Sequence, residues 1–270
     1  MLEVLRRSAG GPRVTPPLQG KCGIVAGVAN ESSIAFGCAR MMKGQGAEVL
    51  CTYGHPKAEP HAREPLEALG IRDVAFCDVR DPEAVEAVFD RALERWGRLD
   101  FLVHSIAFGR RPDVQGRLTD SSTEAFLEAM DITCHSFVRF AKAAEPLMTE
   151  GGTLIAMSYL GAVRAVRDYA LMGPVKAALE SSVRYLASEL GPAGIRVHAI
   201  SPGPMPTRAA SGLKDFDAMA DAAAAKSPFG RLTTIDEVGA LAAFLVSDGA
   251  SGMTGSVHYV DAGVHAIESR

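Results

Sequence analysis

From Lys21 onward, short apolar runs alternate with amphipathic segments. The runs lie at 22–26, 48–53, 74–78, 101–104, 153–157, 197–200 and 256–260, and they are close to continuously apolar. Strands of that kind are buried on both faces, which implies a parallel sheet covered by helices. Right-handed crossovers then wind the chain into an α/β fold: a single Rossmann-like, doubly wound sheet flanked by helices. Helices are expected at 33–44, around 60–69, after Asp81-Pro82, at 122–148 with an interruption or bend, through Tyr169 and Lys176 to about 190, and at 236–247. Asp81 is a capping carboxylate, and Pro82 suits the first helical position.

In doubly wound folds, ligands sit beyond the carboxyl ends of the strands. Gly27, Tyr53, Asp78, Ser105, Ser158, Tyr159 and Ser201 all end expected strands, so they converge on one edge. The turn from Gly27 to Gly37 joins the first strand to the first helix. Glycine permits close approach to a pyrophosphate, and the helix beginning at Ser33 and Ile34 offers free N–H groups and a positive dipole end. The turn departs from G-x-G-x-x-G, so taken by itself it is equally compatible with an ordinary strand–helix connection. Context favours a dinucleotide. Ser105 and Ile106 end a strand where ribose and nicotinamide would lie, and Asp78 with Val79 is placed to meet an adenine. The second strand ends Tyr53-Gly54-His55-Pro56-Lys57, without the acid that NAD-preferring sites often direct at the ribose. His55 and Lys57 would suit a 2′-phosphate or be solvated loop residues, so NADH and NADPH both remain open.

The length of 270 residues fits one large domain, and 47% hydrophobic with 22% charged residues supports a core of useful size. The net charge of -4 gives no general attraction to nucleic acid or to an anionic membrane. No apolar run approaches the ~20 residues a membrane span requires. Five cysteines, mostly with apolar neighbours, imply buried free thiols in a reducing, cytoplasmic setting. There is no C-x-x-C pair and no paired-histidine ligand motif, so no metal is expected. Residues 1–18, rich in proline, glycine and arginine, are expected to form a flexible N-terminal extension ahead of a domain spanning 19–270.

The most specific chemistry lies in Tyr159, Tyr169 and Lys176. A phenol and an ammonium seven residues apart on one helix would share a face, two turns apart. A second phenol, Tyr159, ends the preceding strand. Phenol plus lysine can protonate or stabilise an oxyanion beside a nicotinamide ribose.

Together these residues resemble the short-chain dehydrogenase/reductase superfamily, and within it the enoyl-acyl-carrier-protein reductases of bacterial fatty-acid synthesis. The resemblance covers nearly everything after residue 18. It rests on Gly27-Val28-Ala29 with Ser33-Ile34-Ala35, Cys77-Asp78-Val79, His104-Ser105-Ile106-Ala107-Phe108, Ser158-Tyr159-Leu160-Gly161, Tyr169 to Lys176, Ser201-Pro202-Gly203-Pro204 and Asp261-Ala262-Gly263. Ketone-reducing members use Tyr-x-x-x-Lys with a serine thirteen residues before the tyrosine. Here those two places hold Met172 and Tyr159. The resemblance therefore implies NAD(P)H-dependent reduction of the trans-2 double bond of an enoyl thioester, an oxidoreductase activity of lipid metabolism.

The same resemblance implies roles. Tyr169 would bind and protonate the enolate oxygen, Lys176 would hold the nicotinamide ribose, and Tyr159 would line the substrate site. Pro204, Met205 and Thr207 join the expected cofactor contacts. Ala107, Gly109, Met172, Ala209, Phe216 and Met219 join the expected substrate contacts. Residues 205–225 would form a mobile lid over the acyl chain. The enoyl group would arrive on acyl carrier protein or coenzyme A, and a homotetramer is implied. The lid departs from the pattern: Asp215, Asp217 and Ala218 follow Lys214, where basic residues usually meet an acidic carrier. Arg167 and Asp168 before Tyr169 also depart from it.

Overall fold

A computed structural model describes residues 16–207, 210 and 215–268. Seven strands form one parallel sheet in the order β3-β2-β1-β4-β5-β6-β7. They are β1 (Cys22–Ala26), β2 (Glu48–Tyr53), β3 (Val74–Phe76), β4 (Phe101–His104), β5 (Gly152–Met157), β6 (Ile195–Pro202) and β7 (Ser256–Val260). The helices include α1 (Ile34–Gly44), α2 (Glu59–Ala68), α3 (Pro82–Trp96), α4 (Arg111–Gln115), α5 (Thr123–Ala129), α6 (Ser136–Ala144), α7 (Met172–Leu190), α8 (Phe216–Lys226) and α9 (Ile235–Val246). The order reverses between β1 and β4, the switch point at which such sheets bind ligands.

Two buried clusters cover the two faces of the sheet. Ile24, Leu50, Leu102 and Leu154 join one with α3, α6 and α7; Val25, Cys51, Val103 and Ile155 join the other with α1, α2 and α9. Consecutive strand residues therefore point to opposite cores, which is why the strands read as continuously apolar. All five cysteines are buried and unpaired. Burial pushes the thiols of Cys22, Cys38 and Cys77 up to about 12, which leaves them inert at neutral pH.

The helix ends follow local chemistry. The Asp81 side chain accepts from Glu83 N, Pro82 opens α3, and Gly97 closes it in the left-handed conformation. Thr234 and Glu237 form a reciprocal capping box at α9. Arg196 on β6 donates to the carbonyls of Leu245 and Val246 at the end of α9, and to that of Ala250 in the turn that follows.

Three expectations need correction. Leu18 is fully buried and its N–H donates to Gln45 O at 3.0 Å, so any extension ends before Leu18. Tyr169 is not on a helix: α7 begins at Met172. Pro174 has no N–H to offer the Ala170 carbonyl, so it sits in the first turn and the helix starts there. Asp78 lies beyond β3, which ends at Phe76. The interrupted helix at 122–148 is borne out: α5 and α6 are joined by a π-helical turn, Met130–His135.

Candidate active site

The β1–α1 turn is shaped for a ligand rather than a side chain. Gly27 has φ of 100°, and a Cβ there would lie 2.3 Å from the Ser105 carbonyl oxygen and 2.9 Å from Ile106 Cγ1. The ends of β1 and β4 thus approach each other at the switch point with no side chain between them. Ser33 caps α1: its Oγ accepts from Phe36 N at 3.4 Å and donates to Asn30 O at 2.7 Å. Ile34 opens the helix. A cleft of about 730 Å³ beside this turn is lined by Ser32, Met205, Pro206 and Thr233. Pro204 and Met205 are buried, and Thr207 N donates to Met205 O at 2.7 Å. These features fit a dinucleotide: a tight glycine turn, a helix N-terminus and a flanking loop after β6.

Asp78 is held by its neighbour. Arg80 pairs with it at 2.6 Å and Arg80 N donates to it, so its carboxyl lies below the usual range. Val79 is buried, and its carbonyl accepts from Arg139 at 2.8 Å. Beyond β2, Lys57 N donates to His55 Nδ1 at 3.1 Å; this ring caps a short turn, while Lys57 is exposed.

The tyrosines and the lysine gather around the end of β5. Tyr159 and Tyr169 meet with ring centroids 4.8 Å apart. A Cβ at Gly161 would come within 2.5 Å of the Tyr169 ring, so glycine makes this packing possible. Burial, then the adjacent Tyr159, push the Tyr169 phenol far above its ordinary value; burial also raises Tyr159. Both phenols therefore keep their protons at neutral pH. Lys176 is 4% exposed, and its Nζ donates to Met157 O at 2.6 Å. Burial pushes its ammonium down to about 8.

The residues expected to meet a substrate come from several elements. A Cβ at Gly109 would meet Met172 Sδ at 3.1 Å, which brings these two residues together. Ala107 is exposed on the loop after β4. That loop is clamped by the π-helical turn: Phe108 N donates to Thr133 Oγ1 at 2.9 Å, and Thr133 Oγ1 donates to Phe108 O at 3.2 Å. From α8, Met219 reaches Tyr159, with the phenol donating to Sδ at 3.9 Å. Phe216 opens α8 half-buried, and Ala209 lies outside the described residues. Among the described residues there is no cluster of three or more metal-ligating side chains, and no helix is long and apolar enough to cross a membrane.

Two residues beside the site, Thr133 and Glu180, are absent from the expectations above. Thr133 acts through a π-helical turn, which has no sequence signature comparable to an amphipathic repeat. Glu180 did leave a signal: an acid one turn after Lys176, facing the core rather than solvent.

The sheet order, the glycine turn at the switch point and the tyrosine–lysine cluster fit an oxidoreductase of the dinucleotide-binding α/β class. The profile described as Enoyl-(Acyl carrier protein) reductase matches residues 27–265, and the chain belongs to that family. It is 40% identical to the enoyl-acyl-carrier-protein reductase (NADH) FabI of Rickettsia felis, over 93% of this chain and 97% of the relative. A second relative, the enoyl-acyl-carrier-protein reductase (NADH) 2 of Rhizobium meliloti, is 45% identical over 91% of this chain and 92% of its own. Among solved structures, the reductase of Anaplasma phagocytophilum in complex with NAD superposes with a TM-score of 0.91 at 43% identity, covering 96% of this chain and 98% of that one. The Bacillus cereus enzyme with NADP+ and an indole naphthyridinone gives 0.90 at 41% identity, covering 93% and 99%.

Proposed function

We propose that this chain reduces the trans-2 double bond of enoyl thioesters with NADH. The observation that carries the reading is the contact of Tyr159 with Tyr169 at 4.8 Å, beside a buried Lys176, with Met172 in place of a ketoreductase tyrosine. Bound nicotinamide supplies a hydride to the β-carbon of the substrate. Negative charge then develops on the thioester oxygen. Tyr169, kept neutral by burial, donates a hydrogen bond to that oxygen and can pass it a proton. Lys176 would hold the ribose hydroxyls and would add positive charge to the same region. Tyr159 and Met172 line the acyl site, with Ala107 and Gly109 on the opposite loop. Met219 covers the Tyr159 phenol from α8, which supports a lid role for that helix. Ala209 and Phe216 would extend its apolar lining.

The cofactor would lie across Gly27, Ser33, Ile34, Ser105 and Ile106, with Asp78 and Val79 toward the adenine. Pro204, Met205 and Thr207 would close over the phosphates. The names of the Rickettsia and Rhizobium relatives favour NADH. The Bacillus structure with NADP+ keeps NADPH as the alternative, to be decided by comparing kcat/KM for the two.

The thioester carrier is acyl carrier protein in the names of the relatives. One feature favours coenzyme A as a second reading: α8 carries Asp217 and Asp221 in its sequence, with Lys226 only in its last turn. A homotetramer acting in the cytoplasm fits the family resemblance. The whole reading is tested by following NADH absorbance with a trans-2-enoyl thioester; binding of NADH without any turnover contradicts it.

A further inference from the structure

Lys176 and Glu180 stand one turn apart on α7, and both are buried, at 4% and 5% exposure. A buried carboxyl group needs partners. Ser158 Oγ donates to Glu180 Oε1 at 2.5 Å, and Lys176 Nζ donates to Met157 O at 2.6 Å. Two consecutive residues at the end of β5 are thereby tied to consecutive turns of α7. The next residue is Tyr159, whose ring rests on Tyr169.

The groups around Lys176 come from three elements. His104 faces it from β4, Cys134 from the π-helical turn, and Glu180 from its own helix. His104 is neutral, because burial pushes it down to about 3. The Cys134 thiol is raised by burial and is neutral as well. Of these three, Glu180 is the group able to supply negative charge. Glu180 is itself faced by Ser158 just after β5, Arg184 from α7 and Tyr259 from β7. Burial raises its carboxyl, while Ser158, Arg184 and Lys176 hold it down.

We propose that Glu180 is a positioning residue for the reduction. It anchors Ser158, and with it the backbone that presents Tyr159, and its carboxylate supports the Lys176 ammonium across one helical turn. The proposal rests on the enoyl-thioester reading above. It assigns a role in the reaction to a side chain that touches neither substrate nor cofactor.

The test is the pH dependence of kcat/KM for NADH with a saturating trans-2-enoyl thioester, compared among the wild type, Glu180→Gln and Glu180→Asp. Glutamine keeps the size and a hydrogen-bonding group but removes the charge. The expected result is an alkaline limb moved down by about 1 pH unit in the Gln variant, since loss of a nearby opposite charge disfavours the ammonium. At pH 8 kcat/KM for NADH falls about fivefold, because the charged fraction drops from about one half to about one tenth when a limb at about 8 moves down by one unit, while KM for the thioester stays level. The Asp variant returns the limb toward the wild-type position. An alkaline limb that does not move, whatever the loss of rate, overturns the proposal and leaves Glu180 as packing.

Should the Gln variant not fold, Ser158→Ala reads the same contact. Removing a donor to the carboxylate moves the acid limb upward; an acid limb at the wild-type position overturns the proposal. A wild type that reduces only a 3-ketoacyl thioester would instead sink the underlying reading, so the two failures are distinct.

Discussion

The rings of Tyr159 and Tyr169 meet with centroids 4.8 Å apart and planes tilted by 58°. One follows the end of β5 and the other lies in the turn ahead of α7, where Asp168 adopts φ of 57°. The Tyr159 phenol donates to Met219 Sδ, while the Tyr169 phenol, fully buried, keeps its proton. Donors fixed in advance in a dry site stabilise a developing oxyanion strongly, because nothing has to reorganise as charge appears.

Tyr169→Phe is expected to lower kcat by about 10²–10³, the usual cost of one oxyanion donor. KM for the thioester should change little, since the ring remains and only the hydroxyl goes. Steady-state kinetics on the two proteins check this, and an unchanged kcat would remove Tyr169 from the mechanism.

Lys176 gives the reaction an alkaline limit. Its ammonium is pushed down to about 8 by burial, so the charged form is lost as pH rises through that value. The profile of kcat/KM for NADH, which reports groups of the free enzyme, should fall above about pH 8. In Lys176→Met that limb should disappear and NADH should bind more weakly, as read by nicotinamide fluorescence.

Gly27→Ala tests the dinucleotide turn. The residue sits at φ of 100°, and its new Cβ would meet the Ser105 carbonyl oxygen at 2.3 Å. Backbone strain of this kind costs on the order of 1–3 kcal/mol. The variant should have a lower Tm and an NADH Kd raised at least tenfold; wild-type values for both would show that the turn tolerates a side chain.

Two buried histidines make the fold sensitive to acid. Burial lowers His104 to about 3 and His198 to about 4, whereas either would titrate near 6.5 once unfolded. Between those values the unfolded chain binds more protons than the folded one. Their stabilising effect is complete above about pH 6.5 and is lost as pH falls, at about 1.4 kcal/mol per pH unit for each histidine. Urea midpoints measured from pH 7.5 to pH 5 should fall accordingly, and His104→Gln should reduce the slope.

Much of this architecture could be read from the chain. Ile24 and Val25, or Leu102 and Val103, point to opposite cores, so strands buried on both faces appear as unbroken apolar runs. Their ends then placed Gly27, Ser105 and Tyr159 along one edge. What could not be read was how the site is held. The separation of seven from Tyr169 to Lys176 suggests two helical turns, but Pro174 restricts α7 to a start at Met172 and leaves Tyr169 in a turn. The clamp from Thr133 to Phe108 depends on a π-helical turn that repositions side chains without altering the apolar pattern. Residue spacing alone does not reveal that turn.

The most direct measurement follows nicotinamide absorbance with a crotonyl-type thioester and, in parallel, with the corresponding 3-ketoacyl thioester. The arrangement of Tyr159, Tyr169 and Lys176, with Met172 where a ketoreductase keeps its tyrosine, predicts turnover of the enoyl thioester and none of the ketone. Turnover of the ketone alone would contradict the account.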